Sequence, residues 1–128
     1  MRLLLDTHAL LWWLTDDPNL SNPVREILSD SENEVFVSAA SAWEIATKQR
    51  IGKLKSLKSP SERLPELIIR NGFQTLQIDI FHSIRAGSYD VAHRDPFDRM
   101  LAAQCELEAM PLATLDSAFE AFDIKTIW

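Results

Sequence analysis

The chain alternates between short apolar runs, which are typical of buried strands, and longer stretches with helical periodicity or helix-capping residues. The runs predicted as strands are RLLL (2–5), EVFV (34–37), FQTLQI (73–78), PLATL (111–115) and IKTI (124–127). Strands that alternate with helices favour parallel pairing through right-handed crossovers. We therefore predict one α/β domain over residues 1–128, a three-layer α/β/α sandwich around a parallel sheet of about four to five strands.

Capping residues mark the ends of several predicted helices. Asp95 and Pro96 suit the N-cap and first turn of the late helix FDRMLAAQCELEAM, and Asn22 and Pro23 suit the same positions of an early helix. Gly52 suits the left-handed residue that ends a helix. The predicted helical stretches are 9–14, one opened by Asn22, 39–51, 61–70, 79–86 and 97–110.

The composition is that of an ordinary globular protein. The chain is 46% apolar and 25% charged, and it contains no run near the ~20 apolar residues that a membrane-spanning helix needs. Asp6 interrupts the first apolar run too early for a secretory signal, so we expect a cytoplasmic protein without membrane association. The lone Cys105 excludes an internal disulfide and a thiolate metal cluster, and it is expected to be buried.

The charge is distributed unevenly along the chain. The net charge of −6 argues against a nucleic-acid partner, but six basic residues and one acid lie between Lys48 and Arg63. Such a stretch is either a solvated helix end with its loop or a surface that binds phosphate groups. The residues considered for contact with RNA are Lys48, Arg50, Lys53 and Lys55.

Four carboxylates are predicted to converge on one edge of the sheet. Asp6 and Asp116 follow two predicted strands, and the carboxyl ends of parallel strands share an edge. Glu44 lies early in the helix after EVFV, and Asp98 lies in the first turn of the late helix. The preceding LLL should desolvate Asp6, which disfavours its charged form unless a positive partner is supplied. Mg²⁺ or Mn²⁺ would relieve both the desolvation and the mutual repulsion.

Glu44, Asp98 and Asp116 also have purely structural explanations, whereas Asp6 is harder to explain in this way. Ser41 and Glu44 fit a capping box, and Asp95 and Asp98 suit the positive end of the late helix. Asp116 could instead close a turn by binding its own backbone two residues on. The histidines, which show no metal-ligand spacing and are expected to be structural or exposed, are His8, His82 and His93.

Four motifs stand in order along the chain, namely LLLDTH, SAASAWEI, DPFDRMLAAQ and LATLDSAF. Together they resemble the PIN-domain nucleases, and specifically the VapC-type toxins of bacterial and archaeal toxin–antitoxin pairs. The resemblance implies a Mg²⁺-dependent endoribonuclease that a small cognate antitoxin neutralises. By matching position it implies that the catalytic, metal-binding acids are Asp6, Glu44, Asp98 and Asp116, supported by Thr7, Thr114 and Asp95.

The late motif departs from the family pattern at Arg99, where many relatives have an apolar residue directly after the acid. Asp95 therefore competes with Asp98 for the assignment. We retain Asp98 because its distance to the small pair Ala102 and Ala103 fits the family spacing.

The segment ALLWWL, directly after the first motif, is apolar on every side, which is typical of a helix buried on two faces. Trp12 and Trp13 lie about 100° apart on such a helix and cannot share one face. We therefore predict that one of them lines an antitoxin surface or a homodimer surface. The alternative is that later helices of the same chain cover both rings.

The alternatives to a nuclease are a phosphoacceptor-type α/β domain and a non-catalytic protein-interaction domain. A phosphoacceptor domain of the receiver kind needs a pair of neighbouring acids after its first strand, and an aspartate-nucleophile phosphatase needs D-x-D. The chain has Asp6, Thr7 and His8 at this place. A non-catalytic protein-interaction domain on the same fold stays open as the alternative.

Overall fold

The computed structural model describes residues 1–54 and 61–128, and the strands of this part form one parallel sheet. The strands are β1 (Arg2–Leu5), β2 (Glu34–Ser38), β3 (Gln74–Leu76), β4 (Leu112–Ala113) and β5 (Thr126–Ile127). They pair in the order β3-β2-β1-β4-β5, with β1 in the centre. The predicted α/β class, with a parallel sheet of four to five strands, is confirmed.

Six α-helices accompany these strands in the described ranges. They are α1 (Thr7–Leu14), α2 (Asn22–Ser29), α3 (Ala39–Arg50), α4 (Leu64–Arg70), α5 (Ile80–Ser88) and α6 (Pro96–Glu108). Short 3₁₀ turns cover Ser61–Arg63 and Ser117–Ala121. None of the helices in the described ranges has the length and hydropathy needed to cross a bilayer.

Local capping chemistry sets most helix ends. Gly52 has φ +75° after α3, and the Lys53 N–H binds the Lys48 carbonyl at 2.9 Å, as expected for a left-handed cap. The predicted cap of α2 is wrong by one residue: the N-cap is Ser21 and not Asn22. The Ser21 hydroxyl accepts the Val24 N–H at 3.3 Å.

The sheet separates two buried apolar layers. Leu3 and Leu5 of β1 pack with α1, α2 and α4, whereas Leu4 packs with α5 and α6. These three leucines are fully buried because successive side chains of a strand point to opposite faces and both faces are covered. Cys105 lies in the second layer and is buried, as expected.

The two edges of the sheet carry different residues. The carboxyl edge, where β1, β2 and β4 end, leads into Asp6, the start of α3 and the turn that holds Asp116. At the amino edge, the Arg2 guanidinium donates to the carbonyl of Glu108 at 3.2 Å, at the end of α6. Helix α6 therefore runs from one edge to the other, with Asp98 and Glu108 near its opposite ends.

Candidate active site

Asp6 is buried at the end of β1, and it is the N-cap of α1. Its Oδ1 accepts the Ala9 N–H at 2.7 Å, and its Oδ2 accepts the Thr114 hydroxyl at 2.5 Å. Burial raises the pKa of Asp6, and these two hydrogen bonds and the charge of His8 oppose the rise. As expected from the apolar run before it, the carboxylate is poorly solvated.

Asp116 lies beside Asp6 across a small cleft. The cleft has a volume of about 240 Å³ and is lined by Asp6, His8, Trp12, Leu115 and Asp116. The charge of Asp116 adds slightly to the raised pKa of Asp6. The Asp116 Oδ1 also accepts the Ala118 N–H at 2.9 Å. The turn role foreseen for Asp116 is thus present, and it coexists with a position facing Asp6.

Asp98 lies in the first turn of α6 and contacts His93. The His93 Nε2 lies 2.8 Å from the Asp98 Oδ2. Burial raises the pKa of Asp98 to about 6; the hydrogen bond from His93 opposes this, and the charges of Asp95 and Glu44 add to it. Asp95 itself caps α6, since its Oδ1 accepts the backbone N–H groups of Phe97 and Asp98 at 2.9 and 3.2 Å.

Glu44 is buried and forms an ion pair with Lys48 one turn later in α3. The proposed capping box of Ser41 and Glu44 is wrong, because the N-cap of α3 is Ser38, whose hydroxyl accepts the Ala40 N–H at 3.0 Å. Ser41 instead accepts a hydrogen bond from the Thr7 hydroxyl at 3.0 Å. Glu44 is therefore not used as a cap, and its carboxylate is paired with Lys48.

Electrostatic effects link the four acids in two pairs. The charge of Asp116 adds to the raised pKa of Asp6, and the charge of Glu44 adds to the raised pKa of Asp98. The hydrogen bond between Thr7, next to Asp6, and Ser41, one turn before Glu44, links the elements that carry the two pairs. Three of the carboxylates each contact one polar side chain. These side chains are Thr114 for Asp6, Lys48 for Glu44 and His93 for Asp98.

A second group of ligands lies at the amino edge. Within residues 1–54 and 61–128, the group whose donor atoms all lie within 4.8 Å of one another consists of Asp79, His82 and Glu108. Sequence reasoning treated His82 as structural. The ring agrees with that view, since Nδ1 accepts the Asp79 N–H at 3.1 Å and Nε2 lies 2.9 Å from a Glu108 oxygen. Glu108 follows Asp98 by ten residues of α6, or about 15 Å along the helix.

Arg99, the departure from the family pattern, holds the loop before α6. Its guanidinium donates to the carbonyls of Ala86, Tyr89 and His93 at 2.8, 2.6 and 2.8 Å. The loop carries His93, so the residue after Asp98 fixes the backbone of the residue that contacts Asp98. An apolar side chain would leave these carbonyls without this donor.

Two residues of the site were missed by sequence reasoning. Lys48 was considered only for RNA, although its position four residues after Glu44 is a known signal for an ion pair on a helix. His93 was not linked to Asp98, because its approach depends on the fold of the loop held by Arg99. It precedes the cap Asp95 by two residues, and this proximity is the one local signal for its place in the site.

The remaining predicted residues have these positions. Arg50 and Lys53 are exposed, and Lys55 lies outside the described residues. Trp12 is half-buried and packs on the rings of His8 and Trp128, each at 5.7 Å between centroids. Trp13 is also half-buried; its ring centroid lies 6.0 Å from that of Phe73, and its Nε1 donates to Asn71 at 3.0 Å.

The comparison with known families settles the type of domain. The family model described as PIN domain matches residues 3–125. The chain belongs to the PIN domain family. The resemblance that the four motifs carry is thereby confirmed at the level of the family.

One relative and two solved structures are similar to this PIN domain. A segment of 62 residues is 39% identical to Ribonuclease VapC16 of Mycobacterium tuberculosis, and it spans 48% of this chain but only 44% of that protein. One similar solved structure is VapBC2 from Rickettsia felis, bound to a promoter DNA fragment. It has a TM-score of 0.70 at 14% identity, and the match covers 99% of this chain and 98% of that chain. FitAcB from Neisseria gonorrhoeae has a TM-score of 0.70 at 22% identity, and the match covers 98% of this chain and 96% of that chain. These two likenesses show a shared fold, and they confirm the PIN-like sandwich.

The donor set of this PIN domain fits a hard divalent cation. All four predicted ligands are carboxylates, the class of ligand that Mg²⁺ and Mn²⁺ prefer. Asp6 and Glu44 are no more than 5% exposed, and burial raises the pKa of both Asp6 and Asp98. A positive ion at this edge would offset charge that the protein solvates poorly.

Proposed function

We propose that this PIN domain is a Mg²⁺-dependent endoribonuclease, with Mn²⁺ as a second usable ion, and that it is the toxin of a toxin–antitoxin pair. The observation that supports the proposal is the cleft shared by Asp6 and Asp116, together with pKa values that burial raises at both Asp6 and Asp98. The relative named Ribonuclease VapC16 supports RNA as the substrate.

Three acids of the carboxyl edge would hold the ion, and a fourth would support it. Asp6, Glu44 and Asp98 are proposed as ligands, direct or through water, and Asp116 as an outer or second-metal ligand. When bound, Mg²⁺ supplies a Lewis acid and an activated water for in-line attack on a phosphodiester.

The chain's own hydrogen bonds orient these ligands in advance. Thr114 and the Ala9 N–H hold the two oxygens of Asp6, and His93 holds one oxygen of Asp98. Outer groups of this kind fix the direction of a carboxylate and support the affinity of a metal site. The buried surroundings strengthen every charge interaction at the edge.

Basic residues beyond the acids are proposed to bind the flanking phosphates. Arg50 and Lys53 are exposed near the end of α3, whereas Lys48 is engaged with Glu44. Lys55 is included as a phosphate ligand by its place in the sequence. Because phosphate binding releases counterions, RNA affinity should fall steeply as salt concentration rises.

The nuclease proposal is tested with a matched pair of cap residues. Asp6→Asn keeps an N-cap acceptor for α1 but removes a charged ligand, and we expect it to abolish cleavage of total RNA in Mg²⁺. Asp79→Asn makes the same change at the N-cap of α5 and should leave cleavage intact. Circular dichroism checks both folds, and EDTA should stop the wild-type reaction. Wild-type cleavage by Asp6→Asn would contradict the proposal.

The proposed partners are a small antitoxin and a second copy of this chain. Trp12 and Trp13 remain the predicted contact residues, and the likeness to the structure of VapBC2 supports a partnered protein. A short open reading frame next to this gene whose expression relieves growth arrest would support the pairing. Addition of its product should perturb tryptophan fluorescence in the wild type and less in Trp12→Phe; an unchanged spectrum would contradict a role for these rings.

A further inference from the structure

Trp43 is a large aromatic side chain exposed directly beside the acids. It is 60% exposed, although its neighbours Ser41, Glu44 and Ile45 in α3 are all buried. The ring is nevertheless held: its centroid lies 4.7 Å from that of Phe97, at an interplanar angle of 77°. Edge-to-face contacts of this kind stabilise an aromatic pair beyond the area that it buries. Trp43 therefore presents exposed indole surface from a braced position.

The aromatic pair runs alongside the acid pair. Trp43 precedes Glu44 in α3, and Phe97 precedes Asp98 in α6, so both pairs bridge the same two helices. Adjacent residues of a helix project about 100° apart, which places the rings next to the carboxylates and not among them. A polymer with a group bound at the acids would have its neighbouring groups near the rings.

The same face of α3 carries a positively charged side chain two turns further on. Arg50 follows Trp43 by seven residues, about 10 Å along the helix, and is exposed. Between them lies Ala46, which is also exposed and is too small to obstruct a bound chain. An exposed indole and a guanidinium on one face suit a ligand that has both flat aromatic groups and negative charges.

We propose that Trp43, braced by Phe97, is a stacking platform for an unpaired base next to the scissile phosphate. The inference rests on the proposed function, and it names single-stranded or looped RNA as the substrate class. Bases within a duplex are already stacked and cannot splay onto a side chain, whereas unpaired bases can. Stacking on an aromatic residue is tolerant of sequence, and its loss weakens binding by roughly 5- to 100-fold.

The test compares three changes at Trp43 with one at an exposed ring elsewhere. Trp43→Ala and Trp43→Leu remove the aromatic surface, Trp43→Phe keeps a smaller one, and Phe81→Ala removes a ring of α5 that is 71% exposed. Binding of labelled twelve-nucleotide oligo(A) and of an abasic oligomer of equal length is measured without metal. Thermal unfolding checks each fold; if Trp43→Ala does not fold, Trp43→Leu against Trp43→Phe carries the test.

We expect oligo(A) to bind about tenfold or more weakly to Trp43→Ala and Trp43→Leu, with most of the affinity retained in Trp43→Phe. Affinity for the abasic oligomer should be unchanged in all variants, and Phe81→Ala should match the wild type with both probes. Quenching of indole fluorescence by oligo(A) should be lost with the Trp43 ring.

Three results would overturn the inference. The first is that wild type and Trp43→Ala bind oligo(A) with equal affinity. The second is that Trp43→Ala loses as much affinity for the abasic oligomer as for oligo(A). The third is that Trp43→Ala binds RNA normally but no longer associates with the antitoxin or with itself. The last result would assign the ring to a protein interface. Failure of the nuclease proposal is distinguishable, because it is an absence of Mg²⁺-dependent cleavage by a wild-type protein that still binds oligo(A) through Trp43.

Discussion

The two ends of α6 carry two clusters of ionisable groups that differ in how their charge is balanced. At the amino edge, Asp79 and Glu108 share the imidazole of His82, and both acids are partly open to solvent. At the carboxyl edge, Asp6 and Glu44 are buried, and burial raises the pKa of Asp6. The amino-edge donors lie closer together, whereas at the carboxyl edge the Lys48 ammonium pairs with Glu44 and the buried Asp6 is held by the Thr114 hydroxyl and the Ala9 N–H.

Under the proposed function, closeness of ligand atoms is a weaker sign of a metal site than the poor solvation of buried acids. The amino-edge cluster has a sufficient structural explanation, because Asp79 and His82 form a capping box at the start of α5. Glu44 and Asp98 have no such explanation, since the N-caps of their helices are Ser38 and Asp95. Neither carboxylate serves as a helix cap; Glu44 pairs with Lys48, and Asp98 contacts His93.

The largest expected effect separates the two clusters by activity. Asp98→Asn and Glu108→Gln make the same change of charge at the two ends of α6. Loss of groups that only support a metal ligand costs roughly 10- to 100-fold, so loss of the ligand Asp98 should lower RNA cleavage by about 100-fold or more. Glu108→Gln should cleave at the wild-type rate. Initial rates on total RNA in Mg²⁺ measure both.

An equal loss of activity in the two variants would break the comparison, because it would place the amino-edge cluster in the reaction. Isothermal titration with Mn²⁺ provides a second readout. Asp98→Asn should weaken binding of the ion, and Glu108→Gln should not.

A smaller effect separates the two histidines by stability. His82 is 2% exposed and accepts the Asp79 N–H, so His82→Ala removes that acceptor and opens a cavity in a buried position. We expect a loss of about 2 to 3 kcal/mol in unfolding free energy, with cleavage retained at temperatures where the protein is folded. Urea unfolding followed by circular dichroism measures the loss.

His93→Ala should affect cleavage more than stability. It removes the contact that orients Asp98, so cleavage should fall by roughly 10- to 100-fold, with a smaller loss of stability than His82→Ala. A large stability loss without an effect on cleavage would show that His93 belongs to the core and not to the site.

The parts of the molecule that were predictable from the sequence depend on local chemistry. The left-handed cap at Gly52 and the burial of Asp6 after three leucines follow from neighbouring residues alone, and both are present. The ends of the strands were harder to predict. β4 covers only Leu112–Ala113 of the run PLATL, and Thr114 directly after it donates its hydroxyl to Asp6.

The parts that were not predictable depend on long-range packing. The contact between His93 and Asp98 requires a loop that Arg99 holds by three carbonyls, and no periodicity encodes it. The group formed with His82 joins Asp79 to Glu108, which is 29 positions later in the chain. Such contacts arise from the antiparallel packing of α5 on α6, and the sequence pattern specifies only that both helices exist.

The smallest expected effect is a pH dependence of stability at the carboxyl edge. Burial raises the pKa of Asp98 from its ordinary value of 3.8 to about 6 in the folded protein. Between these values the folded protein binds more protons than the unfolded chain, so the unfolding free energy falls as pH rises. Because one pKa unit corresponds to about 1.4 kcal/mol and the carboxyl keeps some solvent contact, we expect a loss on the order of 1 to 2 kcal/mol.

Urea unfolding in EDTA between about pH 4 and pH 7 measures this loss, with Asp98→Asn as the control. The neutral amide cannot titrate, so the variant should show a flatter profile and a higher relative stability at neutral pH. The raised pKa of Asp6 acts in the same direction and remains in both proteins. Parallel profiles for the two proteins would mean that Asp98 is solvated well enough to ionise without cost, which would remove the electrostatic asymmetry between the two ends of α6.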